Sequence, residues 1–105
     1  LLIGIKDAAV MNLNCGGCGY NSCSELQEAG KREVEFKGPQ CIFRLLDLGI
    51  ALGSAAKTAS MFNVDNRIMY RIGAVARKTG ISQDDIVMGI PLSAKGKNIY
   101  FDRKE

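Results

Sequence analysis

The chain has 105 residues, of which 47% are hydrophobic and 24% are charged, and its formal net charge is +3. This composition is typical of one soluble globular domain, and the small positive charge gives no strong electrostatic case for nucleic-acid binding. Histidine is absent, which excludes Rieske ligation, mixed cysteine–histidine zinc sites and catalysis by serine–histidine or cysteine–histidine pairs.

The first predicted element is a β-strand over residues 1–6. Leu1–Ile5 is a continuous apolar run of the kind that forms buried strands. Because the run starts at the first residue without a polar lead-in, we expect residues 1–105 to form a single domain that is a fragment of a larger one. A short mixed segment, residues 7–13, leads from the strand into a glycine-rich loop.

All the cysteines of the chain follow in one pattern, C-x2-C-x4-C-x17-C. Iron–sulfur clusters are held by four cysteine thiolates, the first of which lie close together on a loop while the last comes from a more distant segment. The spacing therefore favours one [4Fe-4S] cluster in the cluster-binding segment 14–41. The predicted ligands are Cys15, Cys18, Cys23 and Cys41.

The residues between the first cysteines suit such a loop. Gly16, Gly17 and Gly19 allow positive φ angles and let amide N–H groups approach sulfur, where they tune the reduction potential. Tyr20 either shields the cluster or packs against the protein.

The approach to the last two cysteines is also encoded locally. Ser22 and Glu25 form a capping-box pattern, which predicts a short helix over residues 24–30 with Cys23 in its first turn. Pro39 fixes the path of the chain just before the fourth predicted ligand.

Three other interpretations of the cysteines stay open. A structural zinc site is one, although zinc sites usually show two close pairs of cysteines. Two disulfides are another, although the sequence shows no signal peptide and no composition of a secreted scaffold. Unconnected buried thiols are the third, although a glycine-rich loop is a poor hydrophobic core.

A long helix is predicted from Ile42 to about Met61. Apolar and small residues recur there at helical spacing, and the helix is too short and polar to span a membrane. Gly49, Gly53 and Ala56 form a stripe of small residues, for which close helix packing is the expected use. The predicted apolar face comprises Ile42, Leu45, Leu46, Gly49, Leu52, Gly53, Ala56 and Ala59.

A second helix is predicted from about Val64 to Lys78, with Gly80 as its C-terminal stop. Its expected buried residues are Ile68, Met69, Ile72, Val75 and Ala76.

The run 86–90 predicts a second buried strand, closed by Pro91. The tail 91–105 is expected to dock as an extended arm on the body or on a second subunit, with Lys95, Lys97, Arg103 and Lys104 on a solvated surface. This order predicts an α/β or α+β fold, with helices packed on a small sheet beside the cysteine loop.

Several segments together carry a resemblance to a known family: Asn14–Cys23, Asp47–Ala55, Val64–Tyr70 and Gly89–Arg103. They resemble the uncharacterised ferredoxin-domain proteins of archaea and anaerobic bacteria over essentially the whole chain. The resemblance implies one [4Fe-4S] cluster on the four cysteines, an oxygen-poor cytoplasm and an N-terminal part that this chain lacks. The cysteine box is also similar to the iron–sulfur domain of corrinoid proteins of acetyl-CoA synthesis and of electron-transport complexes.

Three functional hypotheses follow. The leading one is electron transfer through the cluster to a redox partner protein, without nucleic acid or membrane as partner. A second is a flavin-dependent redox enzyme, because the element order after Cys41 is similar to the C-terminal half of nitroreductase-type flavoproteins. It would place FMN in a homodimer interface near the small-residue helix and Asp65–Arg67, with Arg67 on the phosphate. The third is an interaction module that zinc or a cluster only stabilises.

Overall fold

The computed structural model describes residues 1–102, so the predicted surface residues Arg103 and Lys104 lie outside the described part. Six short strands and three α-helices alternate along the chain. In order they are β1 (Leu2–Ile5), α1 (Cys23–Glu28), β2 (Arg32–Glu33), β3 (Lys37–Gly38), α2 (Ile42–Met61), β4 (Asp65–Asn66), α3 (Tyr70–Lys78), β5 (Ile86–Gly89) and β6 (Leu92–Ser93), followed by a 3-10 turn at Ile99–Phe101. The prediction of a mixed α/β fold with a small sheet is confirmed, and the likeness to nitroreductases stays a prediction.

The core forms around the antiparallel pair β1–β5, in which Leu2 pairs with Gly89 and Ile5 with Ile86. Successive residues of a strand point to opposite faces. One face of the pair packs against α2, and the other lies so close to α3 that a Cβ on Gly73 would overlap the backbone of Val87. Two further pairs, β2–β3 and β4–β6, are also antiparallel.

The predicted bounds of the first strand and of α2 agree with the structure, but the predicted burial was wrong. Strand β1 is half-exposed because, within residues 1–102, β5 is the single strand that pairs with it, and Leu1 keeps 60% of its surface exposed. A 20-residue helix is about 30 Å long, whereas a four-residue strand spans about 13 Å, so much of α2 extends past the sheet. The helix therefore buries only Leu48 and Leu52.

The small-residue stripe of α2 has no neighbour in the described structure. A Cβ added to Gly49 or Gly53 would meet nothing within 4 Å. The apolar side chains beside these glycines are exposed as well, Leu46 to 56% and Ile50 to 70%. Within residues 1–102, the expected close helix packing at this stripe is thus not found.

The second predicted helix is shorter than expected, because residues 65 and 66 belong to β4 and α3 begins at Tyr70. Strand β4 pairs with β6 from the tail, a long-range contact that helical periodicity does not reveal. The buried residues of α3 are Gly73 and Ala76, because the backbone approach at Gly73 draws that side of the helix to the sheet. The side chains of Ile68, Ile72 and Val75, predicted as buried, are 41%, 36% and 56% exposed.

The arm after β5 docks on the body over its described residues, which is one of the two expected docking sites. Asn98 donates through its side-chain amide to the carbonyl of Asn66 at 2.8 Å. Lys95 and Lys97 lie on the surface, as expected. Within the described residues, no helix is both long and apolar enough to cross a membrane.

Candidate metal centre

The loop that carries the first three cysteines turns through residues with positive φ. Asn14, Gly16 and Gly19 have φ values of 49°, 75° and 95°. This left-handed region suits glycine, and asparagine is one of the few other residues that enter it readily. The N–H of Gly19 donates to the carbonyl of Gly16 at 3.0 Å, which closes a tight turn between Cys15 and Cys18.

Asn14 holds the two ends of this loop together. Its side-chain Oδ1 accepts from the N–H of Cys23 at 2.9 Å, and its own N–H donates to Cys23 Sγ at 3.4 Å. The second contact is the kind of N–H dipole that stabilises negative charge on sulfur. Sequence reasoning missed Asn14, although an asparagine directly before a cysteine–glycine turn is a usable signal.

Cys23 begins α1, as the capping pattern predicted. Ser22 is the N-cap residue, and its Oγ accepts from the N–H of Glu25 at 3.2 Å. The carboxylate of Glu25 in turn accepts from the N–H of Asn21 at 3.1 Å. These two bonds fix the start of the helix, and with it the backbone of Cys23.

Cys41 is the buried member of the set, 8% exposed, and is the N-cap residue of α2. Burial raises the pKa of its thiol, but backbone N–H groups of Met11, Phe43 and Arg44, with the charge of Arg44, outweigh burial and hold the pKa below its ordinary value. The surroundings of Cys41 therefore favour a thiolate.

The structure brings all four predicted cysteines together. All are free thiols, and all line one narrow cavity of about 10 Å³. Cys15 is exposed, whereas Cys18 and Cys23 are half-buried. The cavity is also lined by Asn14, Gly16, Tyr20, Ser22, Leu26 and Ile42.

An apolar cluster forms the inner wall of this cavity. Val10, Leu26 and Cys41 are its buried members, and Cys18, Tyr20, Cys23 and Phe43 pack against it. Tyr20 therefore both packs and lines the site. At the loop, Gly17 lies so close to Ile42 that a Cβ would overlap that side chain. This contact seats the loop directly on the residue after Cys41.

The spacing of the thiols bears on the kind of metal centre. Four sulfurs around a single tetrahedral zinc, each 2.3 Å from the ion, stand about 3.8 Å apart. Within residues 1–102, no three cysteine, histidine or acidic side chains are close enough to hold one ion. In a [4Fe-4S] cluster each thiolate binds a different iron, so the sulfurs are farther apart. In the structure the four thiols line one shared cavity.

The residues named in the flavin hypothesis are engaged within the chain. Arg67 donates to the carbonyl of Tyr100 at 2.9 Å, and its guanidinium carbon lies 4.7 Å from the ring centre of Phe101. The carboxylate of Asp65 accepts from the hydroxyl of Ser93 and from the N–H of Lys95. These contacts hold the arm against β4.

Comparisons with known proteins fit this site. Residues 37–103 match the family described as "Uncharacterized protein containing a ferredoxin domain (DUF2148)", a range that includes Cys41 and begins after the cysteine loop. An "Uncharacterized protein" from Archaeoglobus fulgidus is 54% identical over 103 residues, which are 98% of this chain and 56% of that protein. The chain thus spans about half the length of this curated relative. No solved structure matches the chain. The chain therefore belongs to this family of proteins that contain a ferredoxin domain.

Proposed function

We propose that the chain binds one [4Fe-4S] cluster through Cys15, Cys18, Cys23 and Cys41, and that it carries single electrons in an oxygen-poor cytoplasm. The observation that carries the proposal is the shared cavity, which all four thiols line although no three of them converge on one ion. The bound cluster would accept and release one electron at a time. The chain's own residues would set its potential and its accessibility.

Backbone N–H dipoles act on two of the four sulfurs, those of Cys23 and Cys41. The N–H of Asn14 points at Cys23, and those of Met11, Phe43 and Arg44 face Cys41. Such dipoles stabilise added negative charge, so they favour the reduced state and raise the reduction potential. The apolar cluster under Cys41 acts in the opposite direction, because burial disfavours added charge.

The route for electrons is set by the unequal exposure of the thiols. Cys41 is buried and Cys15 is exposed. Gly16 and Gly17 follow Cys15, so the chain directly after this exposed thiol carries no side chain that could cover it. We expect the redox partner protein to bind over Cys15.

The ligand assignment is tested by reconstituting the protein anaerobically and measuring iron and sulfide. Wild-type protein is expected to hold about four of each per chain. Cys41→Ser is expected to lose most of both, while Ser24→Ala, a nearby change outside the predicted ligand set, is expected to keep them. A Cys41→Ser protein with a full and stable cluster would refute the assignment. Stoichiometric zinc without sulfide would favour the structural module instead.

A flavin-dependent redox enzyme is the second candidate, and the exposed glycine stripe of α2 is the observation in its favour. The engagement of Arg67 by Tyr100 and Phe101 weighs against phosphate binding there. Incubation of purified protein with FMN separates the two proposals. Flavin that co-purifies with the protein and becomes fluorescent after acid release would support the flavin-dependent enzyme. If FMN does not bind, the proposal of a simple electron carrier stands.

A further inference from the structure

Asp85 is a buried acidic residue directly before β5, and only 3% of its surface is exposed. It is distant in sequence from all four cysteines. A buried carboxyl group is costly unless its hydrogen bonds are made, so its partners indicate what it does.

The partners of Asp85 belong to the two segments that enter the cysteine site. On the side of β1, its N–H donates to the carbonyl of Ile5 at 2.7 Å, and its Oδ2 accepts from the N–H of Asp7 at 3.2 Å. On the side of β3, its carbonyl accepts from the N–H of Lys37 at 2.9 Å, and Oδ2 also accepts from Gln40 Nε2 at 3.3 Å. One residue thus joins the strand that leads to the cysteine loop with the turn that carries Cys41.

Gln40 links this junction to Cys41, its neighbour in the chain. Its side chain is buried, and Nε2 donates to the carbonyl of Lys37 at 2.8 Å as well as to Asp85. Its Oε1 is buried and has no hydrogen-bond partner. The amide of Gln40 is therefore fixed through Nε2 alone, and its position depends on the Asp85 carboxylate.

We propose that Asp85 is a positioning residue of the four-cysteine site, acting through Gln40 and Asp7 to set Cys41 against the loop of the other three cysteines. This inference rests on the proposed cluster. Groups that orient metal ligands from the outer shell commonly change metal affinity by about 10–100-fold when they are removed. Asp85 has this relation to the site, because its bonds constrain both segments without touching a sulfur.

Three variants test the inference, each purified as the full chain and reconstituted anaerobically. Asp85→Ala removes the carboxylate. Asp85→Asn keeps one oxygen that is able to accept from both Asp7 and Gln40. Asp84→Ala is the matched control, because it removes a neighbouring carboxylate that makes none of these bonds. The measurements are the rate of iron release to a chelator and the reduction potential.

We expect Asp85→Ala to release iron at least about 10-fold faster than wild type, with a shifted potential, and Asp85→Asn to restore most of the wild-type behaviour. Asp84→Ala is expected to match wild type. If Asp85→Ala releases iron at the control rate with an unchanged potential, Asp85 does not position the site. If circular dichroism shows that Asp85→Ala is unfolded, Gln40→Leu removes the same link and is expected to speed iron release equally; an unchanged rate there overturns the inference.

A second readout does not depend on the cluster. In metal-free protein, alkylation by a maleimide is followed at each cysteine by mass spectrometry. Asp85→Ala is expected to raise the rate at buried Cys41 about 10-fold relative to exposed Cys15 in the same chain. A wild-type protein that takes up no cluster defeats the proposed function, and the ratio of these alkylation rates then decides the role of Asp85 by itself.

Discussion

At the scale of single residues, the candidate site depends on a few side chains and backbone angles that close a loop around thiols. Asn14 contributes one of these backbone angles and two of the hydrogen bonds. It adopts a positive φ, it accepts a hydrogen bond from the N–H of Cys23, and it donates one to Cys23 Sγ. The loop between the first and third cysteines is therefore closed by one residue at its entrance.

Replacing Asn14 by alanine is expected to loosen the loop, because the side-chain bond to Cys23 is lost and alanine disfavours a positive φ. We expect a loss of about 1–2 kcal/mol in the stability of the loaded protein. The measurement is denaturant unfolding under anaerobic conditions. Asn21→Ala is the control in the same loop, because Asn21 contributes its backbone N–H to the contact with Glu25. Equal stability of the two variants would contradict the role of Asn14.

A second prediction at the scale of single residues concerns Gly17. A Cβ at this position would overlap the side chain of Ile42, so Gly17→Ala is expected to cost about 1–3 kcal/mol as overpacking. Shortening the neighbour in the double variant Gly17→Ala/Ile42→Ala is expected to recover part of that cost. Thermal unfolding of the two single variants and the double variant measures the coupling. Strict additivity would show that the two residues do not touch.

The sequence predicts the local part of this site and misses the long-range part. The Ser22 cap lies within a short pattern, and the structure places it as expected; the four cysteines of the spacing pattern line one cavity. Asp85 and Gln40 make their contact across 45 positions in the chain, and Asp85 meets Asp7 across 78. No local pattern encodes contacts of that range, so they become visible only once the strands are paired.

At the scale of elements, the bounds of α2 and its buried face have different causes. The bounds follow from local sequence signals, whereas the buried face depends on how far the short sheet extends beneath the helix. Leu52 packs with Leu48 and Ile90 on the sheet, whereas Ile50 is on the exposed side. The predicted stripe of glycines lies on that exposed side because the sheet reaches only the opposite one.

Alanine substitutions are expected to distinguish the two faces of α2. Leu52→Ala removes a buried side chain and is expected to destabilise the protein by about 2–4 kcal/mol. Ile50→Ala removes an exposed one and is expected to change stability by less than about 0.5 kcal/mol. Chemical denaturation of both variants gives the comparison. A large loss for Ile50→Ala would mean that a partner covers this face in solution.

At the scale of the whole molecule, the described protein is open for its size. Its accessible surface is 7245 Å², against about 5,800 Å² for a compact monomer of this mass. Its radius of gyration is 16.1 Å, against about 13 Å for a compact domain of this length. Among the described residues, the largest completely buried side chains are those of Val87 and Ile90. A small core of this kind leaves the cysteine segment dependent on its own contacts.

Removal of the metal is therefore expected to destabilise the cysteine segment and to leave the rest of the fold unchanged. Val10, Leu26 and Cys41 form one small cluster beside the cysteine loop, whereas β1, β5 and the middle of α2 share a separate core, and α3 packs on the other face of β5. Because bound metal stabilises the folded site, hydrogen exchange is expected to speed up over residues 9–44 when the cluster is stripped. Exchange in β1, β5 and α3 is expected to stay unchanged. A uniform increase across the chain would show that the two regions are not separable.

The account depends above all on one claim, that the four cysteines hold a [4Fe-4S] cluster. The most direct test is electron paramagnetic resonance of anaerobically purified protein before and after reduction with dithionite, on a sample whose iron and sulfide have been counted. The account predicts about four iron and four sulfide per chain, a silent oxidised state and a signal that appears on reduction. Stoichiometric zinc with no signal in either state would contradict it.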